Sequence, residues 1–394
     1  MPSRFNLNRV SVYFLSLYAL LYMSNAIFGT FLPIYLDHEG YSSTAIGSLL
    51  ALGPFVAIIA QPFWGIAGDR AKTKNNILKI LVLGSAITAI FFRFSSNYYY
   101  LIAIMAMSTF FTSSVSPLSD AITLEYLDRT QWKFSNIRLA GTLGYALMSV
   151  LAGFYAKRDI NGIFILYFFI SILVLIVVFL LPEVKGHQSK GNKVSLVALL
   201  KNYELILLLG YATVIQATLG FFYAFFGLYF KEMGGDTAML GWAMFISAIF
   251  EVPFLLFANR IINKIGTKYA LVGSGLITAV RWILLRFITN PSWILPIQML
   301  HGLSFIVISY SMVTYINQRV PKELKASGQA MFGLLGMGIS RIIATLLGGY
   351  ISDLVGIRQV FLYNAFLIII STFIFLLLFH PIIKSKLKSI VSTI

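Results

Sequence analysis

Six ionisable side chains fall inside long apolar stretches of this sequence: Asp120, Arg138, Glu251, Arg281, His301 and Arg341. Ionisable groups at membrane depth are costly, and they commonly mark solute or ion paths. Asp120 lies about eight residues, or roughly 12 Å, from the nearer end of its apolar segment. Arg138 lies about one helical turn into the next segment from the same side, so the two can meet. They read either as a structural ion pair or as a solute-binding pair. Desolvation of a buried pair can exceed its attraction, which favours the second reading. Glu251, Arg281 and His301 stand on three separate segments further along. Arg281 and His301 share a similar depth, and Glu251 lies nearer the middle. A carboxyl balanced between burial and nearby cations can release and rebind a proton, and histidine titrates near neutral pH. The three therefore have the makings of a proton carrier. The plainer readings are polar glue between helices for Glu251 and a hydroxyl partner for His301. Arg341 suits either an anionic solute or a counter-charge to Glu251. Three guanidiniums against two carboxylates favour an anionic or hydroxylated solute.

Elements of membrane length must carry these groups. The chain of 394 residues is 58% hydrophobic and only 11% charged, whereas a soluble domain carries about 25% charged residues. Such a chain has too little polar surface to cover a soluble globule. The apolar runs are long and show no period of two, so helices rather than a closed barrel satisfy the backbone in lipid. Segments are expected over 10–37, 44–68, 76–94, 98–127, 134–157 and 162–182. After a polar stretch they continue over 202–231, 237–259, 267–288, 292–319, 325–354 and 357–382. The fold class is thus all-α and membrane-embedded, with about twelve spanning helices. The expected organisation is a six-helix bundle over 1–182, a linker over 183–200 and a second six-helix bundle over 201–394. The first segment is too long for a signal peptide and lacks a small-residue cleavage pattern. There is no cysteine, so no disulfide or thiol chemistry.

The net charge of +16 does not point to nucleic acid, because the basic residues are spread over many short loops. With the N-terminus in the cytoplasm, Lys and Arg split 21 to 6 in favour of the cytoplasmic side. The positive-inside rule then places both termini and the linker there. Tyr98, Tyr99 and Tyr100 suit an interfacial aromatic belt on the other side. The halves also read as copies. At an offset of 194, Tyr35 meets Tyr229, Gly40 meets Gly234 and Gly47 meets Gly241. Near the same register Ile87-Thr88-Ala89 matches Ile277-Thr278-Ala279. Repeated six-helix halves with a site near the bilayer midplane describe one class of secondary transporter.

The loop after the second segment reads Gly65-Ile66-Ala67-Gly68-Asp69-Arg70-Ala71-Lys72-Thr73-Lys74. It resembles the major facilitator signature G-x-x-x-D-R-x-G-R-K, matching at Gly65, Asp69, Arg70 and Lys74 and departing at Lys72 and Thr73. Gly65 is expected to let two helices approach closely. Asp69 and Arg70 are expected to latch neighbouring helix ends by charge-assisted bonds; ordinary topogenic charge is the plainer reading. Further stretches narrow the resemblance: Ser116-Pro117-Leu118-Ser119-Asp120-Ala121, Ile137-Arg138-Leu139-Ala140-Gly141-Thr142-Leu143-Gly144-Tyr145, Glu251-Val252-Pro253, Val280-Arg281-Trp282 and Gln298-Met299-Leu300-His301-Gly302. This series resembles the lactose-permease-like branch of proton symporters for oligosaccharides, nucleosides and phenylpropionate. Over nearly the whole chain, the resemblance implies import driven by a proton gradient. It implies a solute contact at Asp120, Arg138 and Tyr145, and proton coupling at Arg281 and His301; that family's eighth-helix carboxylate aligns with Ala248, about one turn from Glu251, which the residues alone suggest as the proton-coupling carboxyl. Ser304 stands where that family has its coupling glutamate, and Gly220 and Tyr223 fall near its acidic seventh-helix positions.

The function expected is proton-coupled import of a small organic solute such as a sugar, nucleoside or aromatic acid. The alternatives are an exporter of drugs or metabolites in the same fold and, more remotely, a membrane sensor or membrane enzyme. No H-E-x-x-H, G-x-S-x-G or G-x-x-x-x-G-K-[ST] pattern occurs, so no enzyme chemistry is expected. No cofactor or metal is expected. The expected partners are a small solute, protons and lipid, with the chain a monomer in the cell inner membrane.

Overall fold

The computed structural model describes residues 9–127, 130, 132, 134–185, 199, 202–321 and 324–380. Most of the expected linker, 186–198, and the terminal charges beyond 380 lie outside the described residues. Twelve helices among the described residues are long and apolar enough to cross a membrane. In chain order they are α1 (Arg9–His38), α2 (Ser43–Arg70), α3 (Lys74–Phe91) and α4 (Tyr98–Leu127). Then come α5 (Phe134–Arg158), α6 (Ile160–Leu180), α7 (Tyr203–Glu232) and α8 (Thr237–Ala258). The last four are α9 (Arg260–Phe287), α10 (Pro291–Arg319), α11 (Ser327–Val355) and α12 (Ile357–Leu378). Large apolar side chains such as Ile59, Phe169, Phe179 and Phe373 are more than half exposed, as lipid-facing residues must be. Side-chain caps fix two starts. Asn97 accepts from the backbone N–H of Tyr99 and Tyr100, and Asn202 accepts from that of Leu205.

The sequence predicts unbroken spans; four of them break well inside the span, and α9 is also interrupted near its start, at Gly266 with φ of 78°. In α4 the helix stops at Thr112 and resumes at Val115. Pro117 has no N–H for the Ser113 carbonyl four residues back, and Gln61 Nε2 donates to that carbonyl instead, at 3.1 Å. In α8 the break falls at Phe250, and Pro253 removes the donor that Ile249 would have used. In α10 the chain tightens to a 3-10 run over Met299–Leu303 and leaves helical geometry at Ser304. In α11 it widens to a π-helix over Leu334–Ile339. Each of the four breaks has an ionisable residue within a few positions: Asp120, Glu251, His301 and Arg341 respectively. Such irregular backbone is tolerated in a membrane only where protein or water covers it.

The chain forms two compact units. One comprises Met1–Gly40, Phe55–Lys190 and Asp236–Ile249; the other comprises Tyr41–Pro54, Gly191–Gly235 and Phe250–Ile394. In the first, Phe14, Leu17, Leu81, Ile122 and Val174 belong to one fully buried core. In the second, α7 is central, with 67% of its span buried against 33% for α12. Its Phe221, Phe222 and Tyr229 pack on Trp282 and Phe361.

The repeat seen in the sequence has structural equivalents. Gly40 and Gly234 both take the left-handed backbone, with φ of 85° and 83°. The hydroxyl of Tyr35 donates to the Phe92 carbonyl, and that of Tyr229 donates to the Leu285 carbonyl. Thr88 and Thr278 each bond the carbonyl four residues back. The two helix starts differ in how they are held. The N–H groups of Ser43 and Thr44 donate to the Asp353 carboxylate at 2.9 and 2.8 Å. At the start of α8, Asp236 accepts from the Met239 N–H and pairs with Lys157 at 2.7 Å.

Candidate functional site

Two polar clusters occupy the membrane-spanning segments, one in each unit. In the second unit, α9 supplies Arg281, α10 supplies Gln298 and His301, α7 supplies Tyr223, and α8 supplies Glu251. Arg281 is completely buried and His301 is 3% exposed. Arg281 donates to His301 Nδ1 at 2.8 Å and also to Gln298 Oε1. Its guanidinium lies over the Phe222 ring at 4.2 Å, which suits a weakly hydrated planar cation. His301 Nε2 lies 2.9 Å from the Tyr223 hydroxyl and 3.5 Å from Glu251 Oε1.

That geometry fixes the histidine tautomer. A guanidinium has only donors, so the Nδ1 it bonds must be an acceptor. The ring proton therefore sits on Nε2, facing Tyr223 and Glu251. A second proton cannot enter at Nδ1 while Arg281 holds it. The carboxyl on the Nε2 side is that of Glu251, placed at the α8 break.

The two broken helices touch where that carboxyl sits. A Cβ on Gly302 would overlap the Phe250 carbonyl, so glycine is required for the 3-10 turn of α10 to seat against the break. Sequence reasoning brought Glu251, Arg281 and His301 together correctly. It assigned no role to Gln298 and placed Tyr223 only as the replacement of a family acid. Ser304 turns back into its own helix, donating to carbonyls of α10.

In the first unit the expected direct pairing of Asp120 with Arg138 does not occur. Asp120 is bonded by the Tyr18 hydroxyl, and Arg138 lies over the Tyr22 ring at 4.9 Å. Tyr18 and Tyr22 are one turn apart on α1, so a layer of two phenols stands where the sequence put a bare ion pair. The layer is seated by small residues of α5. A Cβ on Gly141 would press on the Tyr22 ring, and one on Gly144 would overlap the Ala19 backbone. Arg138 is exposed and Asp120 is half-buried. The Tyr145 hydroxyl lies 3.4 Å from Thr30 Oγ1.

The loop expectations need correction. A Cβ on Gly65 would meet open space, whereas one on Gly68 would stand 3.2 Å from Leu118 Cδ1; Gly68 is the residue close to a neighbouring helix. Asp69 and Arg70 are exposed at the end of α2. Among the described residues neither has a side-chain hydrogen bond or ion pair. The ion pair at this end is Lys74 with Glu125 at 3.1 Å. Beside it, the Asn75 side chain donates to the Pro182 carbonyl and accepts from the Val184 N–H. Among the described residues no group of three or more His, Asp or Glu side chains could hold a metal ion.

Comparison with known proteins agrees with this architecture. The chain is 27% identical to the maltose permease of Geobacillus stearothermophilus, with 94% of each chain covered. It is 21% identical to the probable 3-phenylpropionic acid transporter of Escherichia coli, covering 86% of this chain and 90% of that one. Among solved structures, the nucleoside transporter NupG superposes with a TM-score of 0.84 at 17% identity, covering 94% of this chain and 99% of that one. The model of the MFS_1 like family matches residues 11–363. Twelve spanning helices and a family match over most of the sequence make this chain a member of the MFS_1 like family of multi-pass membrane transporters.

Proposed function

We propose that the protein is a proton-coupled importer of a small organic solute in the cell inner membrane. It works as a monomer by alternating access, with both termini cytoplasmic. Six-helix halves over 1–182 and 201–394, joined by 183–200, are the moving parts. Asp120, Arg138 and Tyr145 contact the solute, and Gly65, Asp69 and Arg70 belong to the gating loop. Glu251 carries the proton, with Arg281 and His301 positioned to control it.

The observation that carries this reading is the occupied Nδ1 of His301. Arg281 holds it at 2.8 Å, leaving Glu251 Oε1 beside the remaining ring N–H at 3.5 Å. A protonated Glu251 is neutral and stable in its apolar place. Once deprotonated, it is held by the His301 N–H and the nearby positive charge. A group with two such states is what coupling needs. The names of relatives favour sugars, aromatic acids and nucleosides as solute classes.

Glu251→Gln mimics the permanently protonated form. In proteoliposomes it should exchange solute across the membrane at equal pH about as fast as the parent. It should fail to accumulate solute against a gradient when a pH difference is imposed. Parent-like accumulation by this variant would move the proton away from Glu251 or remove proton coupling altogether.

A further inference from the structure

We propose that Arg341 is an anion-binding group, so that the transported solute is an organic monocarboxylate. This rests on the transport reading above and names the solute class. Arg341 follows the π-helical stretch Leu334–Ile339 on α11, and such stretches recur at functional sites. Its guanidinium stands over the Tyr223 ring at 5.6 Å. No carboxylate among the described residues lies within ion-pairing distance of it. The other intramembrane guanidinium of this unit, Arg281, is already bonded to His301 and Gln298.

Arg341 is half-buried; a cation at membrane depth lacking a counter-ion is expensive, and a solute anion is one way to neutralise it. A further unused donor lies on the helix face that Arg341 packs against. Gln216 is 4% exposed, and its Nε2 has no hydrogen-bond partner. Gln216, Gly220 and Tyr223 follow one face of α7, spaced by four and three residues. A Cβ on Gly220 would stand 3.3 Å from Arg341 Cγ, and one on Gly336 would stand 3.6 Å from Gln216 Cγ. The small residues thus bring α11 against this face of α7, with the unused amide donor one turn before Gly220 and the guanidinium over Tyr223, one turn after it.

A carboxylate has two acceptor oxygens; a guanidinium and an amide N–H₂ are both pure donors to it. A neutral sugar or nucleoside would leave the guanidinium charge uncompensated. The Tyr223 hydroxyl contacts His301 Nε2 at 2.9 Å, so an anion at Arg341 is separated from the proton-carrying cluster by one side chain. Loading of the anion and loading of the proton can therefore influence each other.

The test uses purified full-length protein in detergent. Binding is measured by thermal shift and by calorimetry for 3-phenylpropionate, benzoate and hexanoate, each beside its neutral amide, and for maltose and uridine. At least one acid should bind and its amide should bind at least about tenfold more weakly, the least that one charge-assisted contact supplies. Arg341→Gln should weaken the acid by a similar factor, and Arg341→Lys should recover part of it. Gln216→Leu should weaken it less. Amide binding equal to acid binding on the parent overturns the proposal, and that comparison requires no variant to fold. Binding of maltose or uridine with no acid bound overturns it while leaving the transport reading intact. Absence of any binding, together with no uptake of any probe into proteoliposomes, counts against both. If Arg341→Gln/Glu251→Gln regains the acid binding lost in Arg341→Gln, Arg341 is a counter-charge to Glu251 and not a ligand group.

Discussion

The two intramembrane clusters use similar residue types and differ in wetness. In one, Arg281 is wholly buried, bonded to His301 and Gln298, and covered by Phe222. In the other, Arg138 is exposed and lies over the face of Tyr22, and Asp120 is bonded by the Tyr18 hydroxyl. A buried guanidinium with both arms engaged is fixed, because releasing either bond strands a polar group in a dry place. An exposed guanidinium on a ring can exchange one partner for another at little cost. Under the proposed function, this contrast fits a positioning part for Arg281 and a solute contact at Arg138.

The largest expected effect comes from removing the two arginines in turn. Arg281→Leu leaves His301 Nδ1 and Gln298 Oε1 without their donor and should destabilise the protein by about 3–5 kcal/mol. Arg138→Leu should lower stability by less than about 1 kcal/mol, as most surface substitutions do. It should still cut solute uptake at least about tenfold if one charge-assisted contact is lost. Thermal unfolding in detergent and uptake in proteoliposomes separate the two readouts. Equal destabilisation by both variants would erase the distinction drawn here.

The breaks sharpen the same contrast. Gly302→Ala drives a methyl group into the Phe250 carbonyl beside Glu251, and backbone cannot yield as a flexible side chain does. A loss of about 1–3 kcal/mol is expected, together with weakened coupling because the Glu251 break moves. Gly65→Ala, which meets open space, should be neutral or slightly stabilising through lower backbone entropy of the unfolded chain. Turnover unchanged in Gly302→Ala would show that the break does not set the position of Glu251.

What the sequence made legible follows from which signals survive in an apolar chain. Membrane spans were readable because length and hydropathy act over about 20 residues. The repeat was readable through Gly40 and Gly234, whose shared left-handed backbone restricts the residue allowed. The α4 and α8 breaks had a readable cause in Pro117 and Pro253. The 3-10 run in α10 and the π-helix in α11 had none as specific, since Gly302 and Gly336 also suit ordinary close packing. The charged residues of both clusters stood out, yet their neutral partners did not. Tyr18, Tyr22 and Gln216 are unremarkable polar residues on apolar helices, and only geometry selects them. The one-turn spacing of Tyr18 and Tyr22 was the available hint. Lacking that phenol layer, helix counting paired Asp120 directly with Arg138.

Tyr18→Phe tests that layer with a smaller expected effect. It removes the hydroxyl that bonds Asp120 and keeps the ring that packs in the core. A stability change of about 1 kcal/mol is expected for one hydrogen bond. If the phenol holds Asp120 away from Arg138, its removal lets the two approach. Arg138→Leu should then destabilise a Tyr18→Phe protein more than it destabilises the parent. A double-mutant cycle with no coupling between the two positions would show that Tyr18 does not separate the charges.

The smallest effect lies at the start of α8 and separates an ion pair from a cap. Lys157 and Asp236 are close, at 2.7 Å, but their side chains are 57% and 43% exposed. Water screens such a pair, so Lys157→Ala should cost only a few tenths of a kcal/mol. Asp236→Ala also removes the acceptor for the Met239 N–H, and should cost about 1 kcal/mol as a lost helix cap. The Lys157 hydrogen bond, foremost, and the Met239 N–H hold the Asp236 carboxyl below its ordinary value of 3.8. A carboxyl lowered by folding stabilises the folded state above that ordinary value, and the contribution is lost as pH falls through the lowered one. The stability gap between the parent and Asp236→Ala should therefore be constant near neutral pH and narrow only in strong acid. The smaller gap for Lys157→Ala should also shrink with added salt, whereas the capping part should not. Comparing the two gaps at high and low salt divides the contribution of Asp236 between Lys157 and the helix start. A gap for Lys157→Ala as large as that for Asp236→Ala, and insensitive to salt, would show that this pair is shielded from water and belongs with the buried cluster around Arg281.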